Sequence, residues 1–297
     1  MKVSEHPLRF DCAGEMLFGV LSLPATPLPV GVLVVVGGPQ YRVGSHRQFV
    51  LLARSLAAAG HPVLRFDVRG MGDSTGEMRS FESLDDDIAS ALAALSREVP
   101  QVRRCVLWGL CDGASAALMY VQRTADPMVA GMCLVNPWVR SEATLARTQI
   151  KHYYGRRLLQ REFWLKLGSG KVGLAALRGL AGGVVRALRS PSSVAAGHAG
   201  APATYQQRMA SAWHRFTGPM LLILSSDDYT AKEFLEYVAS DGDWRGALAL
   251  TNLRRRDVAG ADHTFSGSAS REEMERTTLA WLGECCNDAR PLAHSSR

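Results

Sequence analysis

The sequence has few cysteines, and their positions exclude two classes of protein. Its 297 residues contain six cysteines, without the regular spacing of a disulfide framework. No two of them have the C-x-x-C spacing that is typical of a zinc site. We therefore expect no disulfide scaffold, no metal and no other cofactor. The cysteines are Cys12, Cys105, Cys111, Cys133, Cys285 and Cys286.

Long hydrophobic runs are also missing. Runs such as Val30 to Val36 are too short to cross a bilayer. The first residues lack the basic region and the apolar segment of a secretory signal, so we expect a cytoplasmic protein. With 47% hydrophobic and 21% charged residues, the chain can form one large core of the α/β type. We expect residues 1–297 to form a single domain.

Short apolar runs alternate with helical patterns along the chain, and no internal repeat is visible. This alternation predicts an α/β fold with a mostly parallel sheet. The predicted strands cover residues 8–10, 17–23, 30–36, 62–67, 105–108, 129–135 and 219–224, and the predicted helices cover residues 47–59, 84–97, 114–120 and 271–281.

A long segment without a clear strand separates the last two of these strands. Its length of about eighty residues far exceeds an ordinary connection, so we expect an inserted helical cap over residues 141–215. Residues 141–190 contain ten basic and two acidic residues. This charge could attract an anionic substrate or a membrane surface, or could simply be a solvated helix face. No nucleic-acid-binding module accompanies it, so we expect no nucleic acid.

Residues Gly109 to Gly113 have the pattern of a nucleophile elbow, with Cys111 in the place of the usual serine. An apolar strand precedes these five residues and good helix formers follow them, which is the strand–turn–helix arrangement that an elbow requires. A thiol at a helix N-terminus is favoured as the reactive thiolate. The alternative is that Cys111 is a small buried hydrophobic residue.

A second match to the elbow pattern contains a real serine, Ser74, within Gly72 to Gly76. It follows a strand, but no small apolar helix opens directly from the turn. The next helix is predicted to begin near Ser83, where an N-cap serine precedes acidic residues. We therefore interpret Ser74 as a loop residue.

Partners for Cys111 follow in the order nucleophile, acid, base that this type of site uses. Asp227 and Asp228 come after a buried strand, and either could be the orienting acid. His263 lies in a loop before the final helix and is the candidate base. An imidazole would take the thiol proton, and a buried carboxylate would fix the tautomer of the ring.

An oxyanion hole would complete the site. One donor is expected to be the backbone N–H of Asp112, directly after the nucleophile. The second is expected from the loop after the strand at residues 30–36, in which Pro39 has no N–H to donate. We assign it to Gln40, with Tyr41 and Gly38 as the alternatives.

Four segments of the chain carry a family resemblance: residues 37–47 (GGPQYRVGSHR), 64–74 (LRFDVRGMGDS), 109–113 (GLCDG) and 262–265 (DHTF). They resemble the α/β-hydrolase superfamily, and more closely hydrolase 1 associated with the exosortase A exopolysaccharide system. The resemblance implies a hydrolase or acyltransferase linked to surface polysaccharide production. It also implies Asp228 as the acid, although a serine in the usual glycine place leaves Asp227 possible.

The leading functional hypothesis is hydrolysis of a small-molecule ester or thioester through an acyl-enzyme on Cys111. Transfer of the acyl group to a sugar or another hydroxyl acceptor is an alternative, because a thioester intermediate is compatible with both outcomes. A third hypothesis is a non-catalytic hydrolase fold that binds a lipid or a protein partner.

Overall fold

The computed structural model describes residues 2–38, 40–140 and 202–287. Its described part contains one eight-stranded sheet with the strand order β1-β2-β4-β3-β5-β6-β7-β8. The strands are β1 (Val3–Cys12), β2 (Glu15–Pro24), β3 (Val30–Val35), β4 (Val63–Phe66), β5 (Arg104–Leu110), β6 (Val129–Val135), β7 (Met220–Ser225) and β8 (Leu253–Val258).

Strands β3 to β8 run parallel, and β1 and β2 form an antiparallel hairpin at one edge. This confirms the predicted mostly parallel sheet. The two hairpin strands are longer than predicted, because their pairing continues from Val3 opposite Pro24 to Cys12 opposite Glu15. The backbone hydrogen bonds between β1 and β2 also include polar residues of β1, and a search for apolar runs does not detect these residues.

Helices cover both faces of the sheet. On one face, α1 and α6 pack against Val32, Val34 and Trp108, and the other four helices pack on the opposite face. None of the described helices is both long enough and apolar enough to cross a membrane. The helices are α1 (Gln48–Ala58), α2 (Asp85–Glu98), α3 (Asp112–Thr124), α4 (Tyr205–Arg215), α5 (Tyr229–Ser240) and α6 (Ser268–Asn287).

Helix α4 falls inside the cap that was predicted for residues 141–215. Residues 141–201, and with them the basic segment 141–190, lie outside the described residues. The ring of Trp213 in α4 lies 5.8 Å from Phe234 and 5.4 Å from Trp244, and its indole N–H donates to the carbonyl of Ala247 at 2.9 Å. Helix α4 therefore packs in the body of the fold, because its apolar face meets aromatic residues of α5 and the segment that follows.

A buried carboxylate, Asp67, fixes the loop after β3 to the loop after β4. Asp67 accepts the backbone N–H of Arg42 at 2.6 Å and that of Asp73 at 3.1 Å, and it also pairs with the Arg42 guanidinium. The Asp67 side chain is fully buried. The first of these loops contains the predicted oxyanion residues, so Asp67 holds that loop in place beside the elbow.

Replacing Asp67 with alanine is expected to lower the free energy of unfolding by about 3–5 kcal/mol. The Arg42 guanidinium and the backbone N–H groups of Arg42 and Asp73 lose their partner in this variant. Urea unfolding measures this loss. The matched control is Asp73→Ala, which removes the exposed partner of the same arginine and should cost less than about 1 kcal/mol. Equal losses in the two variants would contradict the assigned role of Asp67.

Candidate active site

Cys111 lies on a strained turn between β5 and α3. Its backbone angles, φ 59° and ψ −126°, are sparsely populated for a residue with a side chain and cost about 1–3 kcal/mol. Backbone hydrogen bonds hold the turn against β6 and the segment that follows β6. The Cys111 N–H donates to Val135 O at 2.9 Å, and the Cys111 carbonyl accepts from Trp138 N at 3.3 Å. Strain of this kind presents the side chain of Cys111 at the carboxyl edge of the sheet.

The two glycines of the elbow are required by close backbone contacts. A Cβ atom on Gly109 would lie 2.5 Å from the nitrogen of Ala114, and one on Gly113 would lie 2.3 Å from the carbonyl oxygen of Val35. Real Cβ atoms do not approach backbone atoms so closely. The strand–turn–helix arrangement predicted around Cys111 is therefore present, and its glycines let α3 start directly against β3 and β5.

His263 is hydrogen-bonded to one of the two candidate aspartates. Its Nδ1 lies 2.8 Å from Oδ2 of Asp228. Asp228 is 6% exposed and also caps α5, accepting the N–H groups of Thr230 at 3.0 Å and Ala231 at 3.2 Å. These contacts fix the orientation of the carboxylate. Asp227 is exposed, and its backbone N–H donates to Ala261 O at 2.9 Å.

Asn136 supports the histidine loop, and sequence reasoning did not identify it. Its side chain is fully buried at the end of β6. The amide donates to Ser225 Oγ at 2.9 Å and to the carbonyl of His263 at 3.4 Å, and its oxygen accepts Ser225 N at 2.8 Å. The signal in the sequence was an asparagine at a strand end, a residue type that tolerates the positive φ of 45° found there.

Asp262 shapes the same loop from its outer side. Its carboxylate accepts the backbone N–H groups of Thr264 at 3.1 Å and Ser266 at 2.9 Å. The hydroxyl of Ser266 and these N–H groups lower the pKa of Asp262 against a smaller effect of burial. An ionised Asp262 thus closes the turn that presents His263.

The Cys111 thiol is less acidic than its position at a helix N-terminus predicts. Burial raises its pKa to about 12, and the carboxylates of Asp112 and Asp228 act in the same direction. The Asp112 N–H and the Arg140 guanidinium oppose them without cancelling the effect. Burial and the two carboxylates therefore favour a neutral thiol, which needs a base to become a nucleophile.

The thiol of Cys111 and the imidazole of His263 are not hydrogen-bonded to each other in the described part of the structure. The Nδ1 atom of the ring is occupied by Asp228, so Nε2 is the nitrogen left to accept a proton. Contacts of this kind are often long in free enzymes and shorten when a substrate binds.

Two of the candidate oxyanion donors in the loop after β3 have hydrogen-bond partners in the structure. The backbone N–H of Gln40 donates to the carbonyl of Gly38 at 2.8 Å, so that donor is already used. Gly38 instead faces the side chain of Asp112, where its N–H lowers the pKa of the carboxyl. Both N–H groups therefore have a partner: the Gly38 N–H is directed at Asp112 beside the elbow, and the Gln40 N–H is directed into its own loop.

Ser74 holds a turn together and is not available as a nucleophile. Its hydroxyl donates to the carbonyl of Asp67 at 2.7 Å and accepts the N–H of Phe18 at 3.0 Å. The side chain is buried. Ser74, the serine of the second elbow match, is therefore a loop residue that links β2 to the end of β4.

The parallel sheet with its edge hairpin, together with the elbow after β5, is the α/β-hydrolase fold. Residues 29–171, a little under half of the chain, match the model of a family described as serine aminopeptidase, S33. No curated protein matches the sequence.

Solved structures with the same fold include several esterases and related hydrolases. An esterase from Pyrococcus furiosus is 14% identical, with a TM-score of 0.63 over 96% of this chain and 94% of that one. A dienelactone hydrolase from Anabaena variabilis is also 14% identical, with a TM-score of 0.60 over 96% and 99% of the two chains. Est1E from Butyrivibrio proteoclasticus, solved with ferulic acid, is 14% identical, with a TM-score of 0.57 over 94% and 99%.

Proposed function

We propose that the protein hydrolyses a small-molecule carboxylic ester or thioester, with Cys111 as nucleophile, His263 as base and Asp228 as the residue that orients the base. The observation that carries this proposal is the 2.8 Å contact between His263 Nδ1 and Asp228 Oδ2, in a fold that places Cys111 on an elbow at the same sheet edge. Orientation of the ring by a buried carboxylate directs its other nitrogen toward a nucleophile.

The reaction begins with transfer of the thiol proton to Nε2 of His263 while the sulfur attacks the acyl carbon. The carbonyl electrons move onto oxygen, which the N–H groups of Asp112 and Gly38 stabilise. The bond to the leaving group then breaks, and the imidazolium returns its proton to that group. Water, activated by the same histidine, cleaves the thioester and regenerates Cys111.

A sugar hydroxyl is the second candidate acceptor. The resemblance of four segments to a hydrolase of an exopolysaccharide system supports transfer onto a sugar, and the thioester intermediate is common to both outcomes. The basic segment 141–190 supports an anionic or membrane-associated substrate. With a sugar as acceptor or with an anionic or membrane-associated substrate, the protein acts in exopolysaccharide production.

A panel of p-nitrophenyl acyl esters tests the proposal. We expect release of p-nitrophenol and, after acid quench, a mass increase equal to the acyl group on the peptide that contains Cys111. Glucose added as acceptor separates the outcomes, because transfer yields an acylated sugar and hydrolysis yields the free acid. Ester turnover with an acyl adduct on another residue, or no turnover across the panel, would overturn the proposed function.

A further inference from the structure

Arg140 lies near Cys111 at the carboxyl edge of the sheet, in the segment that follows β6. Trp138 connects the two residues. Its backbone N–H donates to the Cys111 carbonyl at 3.3 Å, and its ring centroid lies 4.3 Å from the guanidinium carbon of Arg140. The hydroxyl of Ser115, in the first turn of α3, donates to the Trp138 carbonyl at 2.7 Å. Trp138 therefore contacts both the turn that presents the thiol and the guanidinium of Arg140.

Two helices fix the position of Arg140. From α4, the hydroxyl of Tyr205 donates to the Arg140 carbonyl at 2.6 Å. From α5, the carboxylate of Glu233 accepts the Nε–H of the guanidinium at 2.9 Å. The Trp138 ring adds a cation–π contact to the face of the guanidinium. A side chain that is held in this way loses little conformational freedom when it binds a ligand, which favours binding.

The guanidinium retains donors for a further partner. Its bond to Glu233 uses Nε, and the Glu233 side chain is 2% exposed, whereas that of Arg140 is 27% exposed. Within residues 2–38, 40–140 and 202–287, the Nη groups of Arg140 make no hydrogen bond. The Nη groups form the edge of a planar fork that can donate to both oxygens of a carboxylate or a phosphate. Arg140 can therefore bind an oxyanion group while it remains paired with Glu233.

The charges near the thiol indicate which oxyanion fits. The carboxylates of Asp112 and Asp228 both act on Cys111, and the Arg140 guanidinium opposes them. A negatively charged substrate is repelled by such carboxylates unless a cation receives its charge. With Glu233 as a third carboxylate nearby, a carboxylate with one negative charge fits this single cation better than a phosphate, whose charge is nearly two.

We propose that Arg140 is a specificity-determining residue that binds a carboxylate of the substrate while Cys111 attacks the acyl carbon. This inference rests on the proposed function and names a substrate class within it, esters or thioesters that also carry a free carboxylate. The competing role of Arg140 is purely structural, as the counter-charge of the buried Glu233.

Two pairs of matched esters test this role. In the first pair, the mono-p-nitrophenyl ester of adipic acid carries a carboxylate on its acyl part, and the corresponding terminal amide is neutral. In the second pair, para-acetoxybenzoate carries the carboxylate on its leaving group, and para-acetoxybenzamide is neutral. Each kcat/KM is divided by the rate of spontaneous hydrolysis. We expect the wild type to prefer the charged member of one pair, and that pair identifies the part of the substrate that Arg140 contacts.

Loss of the guanidinium should abolish this preference. Arg140→Gln alone leaves Glu233 buried without its partner, which costs stability, so it is combined with Glu233→Gln. The double variant replaces an ion pair by two amides and keeps the net charge. Its ratio of charged to neutral kcat/KM should fall by about 10–100-fold, the contribution of hydrogen bonds to a charged group. Arg140→Lys keeps the charge without the fork and should retain part of the preference.

The ratio is the readout because Arg140 also opposes the carboxylates near Cys111, so its loss can slow both esters of a pair. Thermal unfolding confirms that each variant is folded. A folded double variant that keeps the wild-type ratio would make Arg140 purely structural and overturn the inference. A wild type that hydrolyses the neutral esters but prefers neither charged ester overturns it as well. If the wild type forms no adduct on Cys111 with any of these esters, the proposed function itself fails, and the role of Arg140 fails with it.

Discussion

Replacing Cys111 with alanine is expected to lower kcat for p-nitrophenyl esters by about 10⁴-fold or more, because removal of a nucleophile leaves only the contributions of binding and of the oxyanion hole. The acyl adduct should vanish from the mass spectrum. The fold should be retained, since alanine keeps the Cβ atom and removes only a sulfur atom. Steady-state kinetics and intact mass on the same samples measure both effects.

Cys12 offers a matched control for this variant. It is a buried cysteine in β1, and burial raises the pKa of its thiol as it does for Cys111. Cys12→Ala should keep the activity and the adduct while losing on the order of 1 kcal/mol of stability. Unchanged turnover in Cys111→Ala would exclude the cysteine as nucleophile and favour the third hypothesis, in which the site binds a ligand without covalent chemistry.

The sequence predicted the elbow because its signal is local. Gly109, Cys111 and Gly113 lie between an apolar strand and a run of helix formers, and each glycine is explained by close backbone contacts. The parallel sheet was predictable for the same reason, since buried strands and amphipathic helices alternate along the chain. The contact between His263 and an aspartate also follows from chain order, although not the choice between the two aspartates.

That choice depends on where α5 begins. Asp227 and Asp228 both follow β7, and neither hydrophobic periodicity nor composition distinguishes an outward from an inward carboxylate. In the structure, Asp228 is the N-cap of α5, with its side chain turned into the fold. The resemblance to known hydrolases favoured the same residue, from motif position alone.

Other features of the site depend on distances between distant segments. The neutral state of the Cys111 thiol results from burial and from Asp112 and Asp228, and no sequence pattern reports burial at one atom. The hydrogen bond from the Gln40 N–H to the carbonyl of Gly38 depends on the conformation of a short loop. Asn136 was missed because its partners, Ser225 and the His263 carbonyl, are far away along the chain.

Asp228→Asn is expected to lower kcat by about 10⁴-fold, whereas Asp227→Asn should leave kcat within about a factor of two. An amide at position 228 can donate to Nδ1 of His263, which places the ring proton on Nε2. The nitrogen that must accept the thiol proton is then already protonated. Because the resting thiol is neutral, with a pKa of about 12, loss of the base cannot be compensated by spontaneous ionisation at neutral pH.

Stability separates this catalytic effect from the second role of Asp228. The carboxylate caps α5 through Thr230 and Ala231, and asparagine caps helices about as well as aspartate. Asp228→Asn should therefore unfold at nearly the wild-type urea concentration, whereas Asp228→Ala should lose about 1 kcal/mol as well as its activity. If Asp228→Asn lost activity only in proportion to lost stability, the aspartate would be a helix cap and not the partner of the base. An equal loss of activity in Asp227→Asn would assign orientation of His263 to the exposed carboxylate instead.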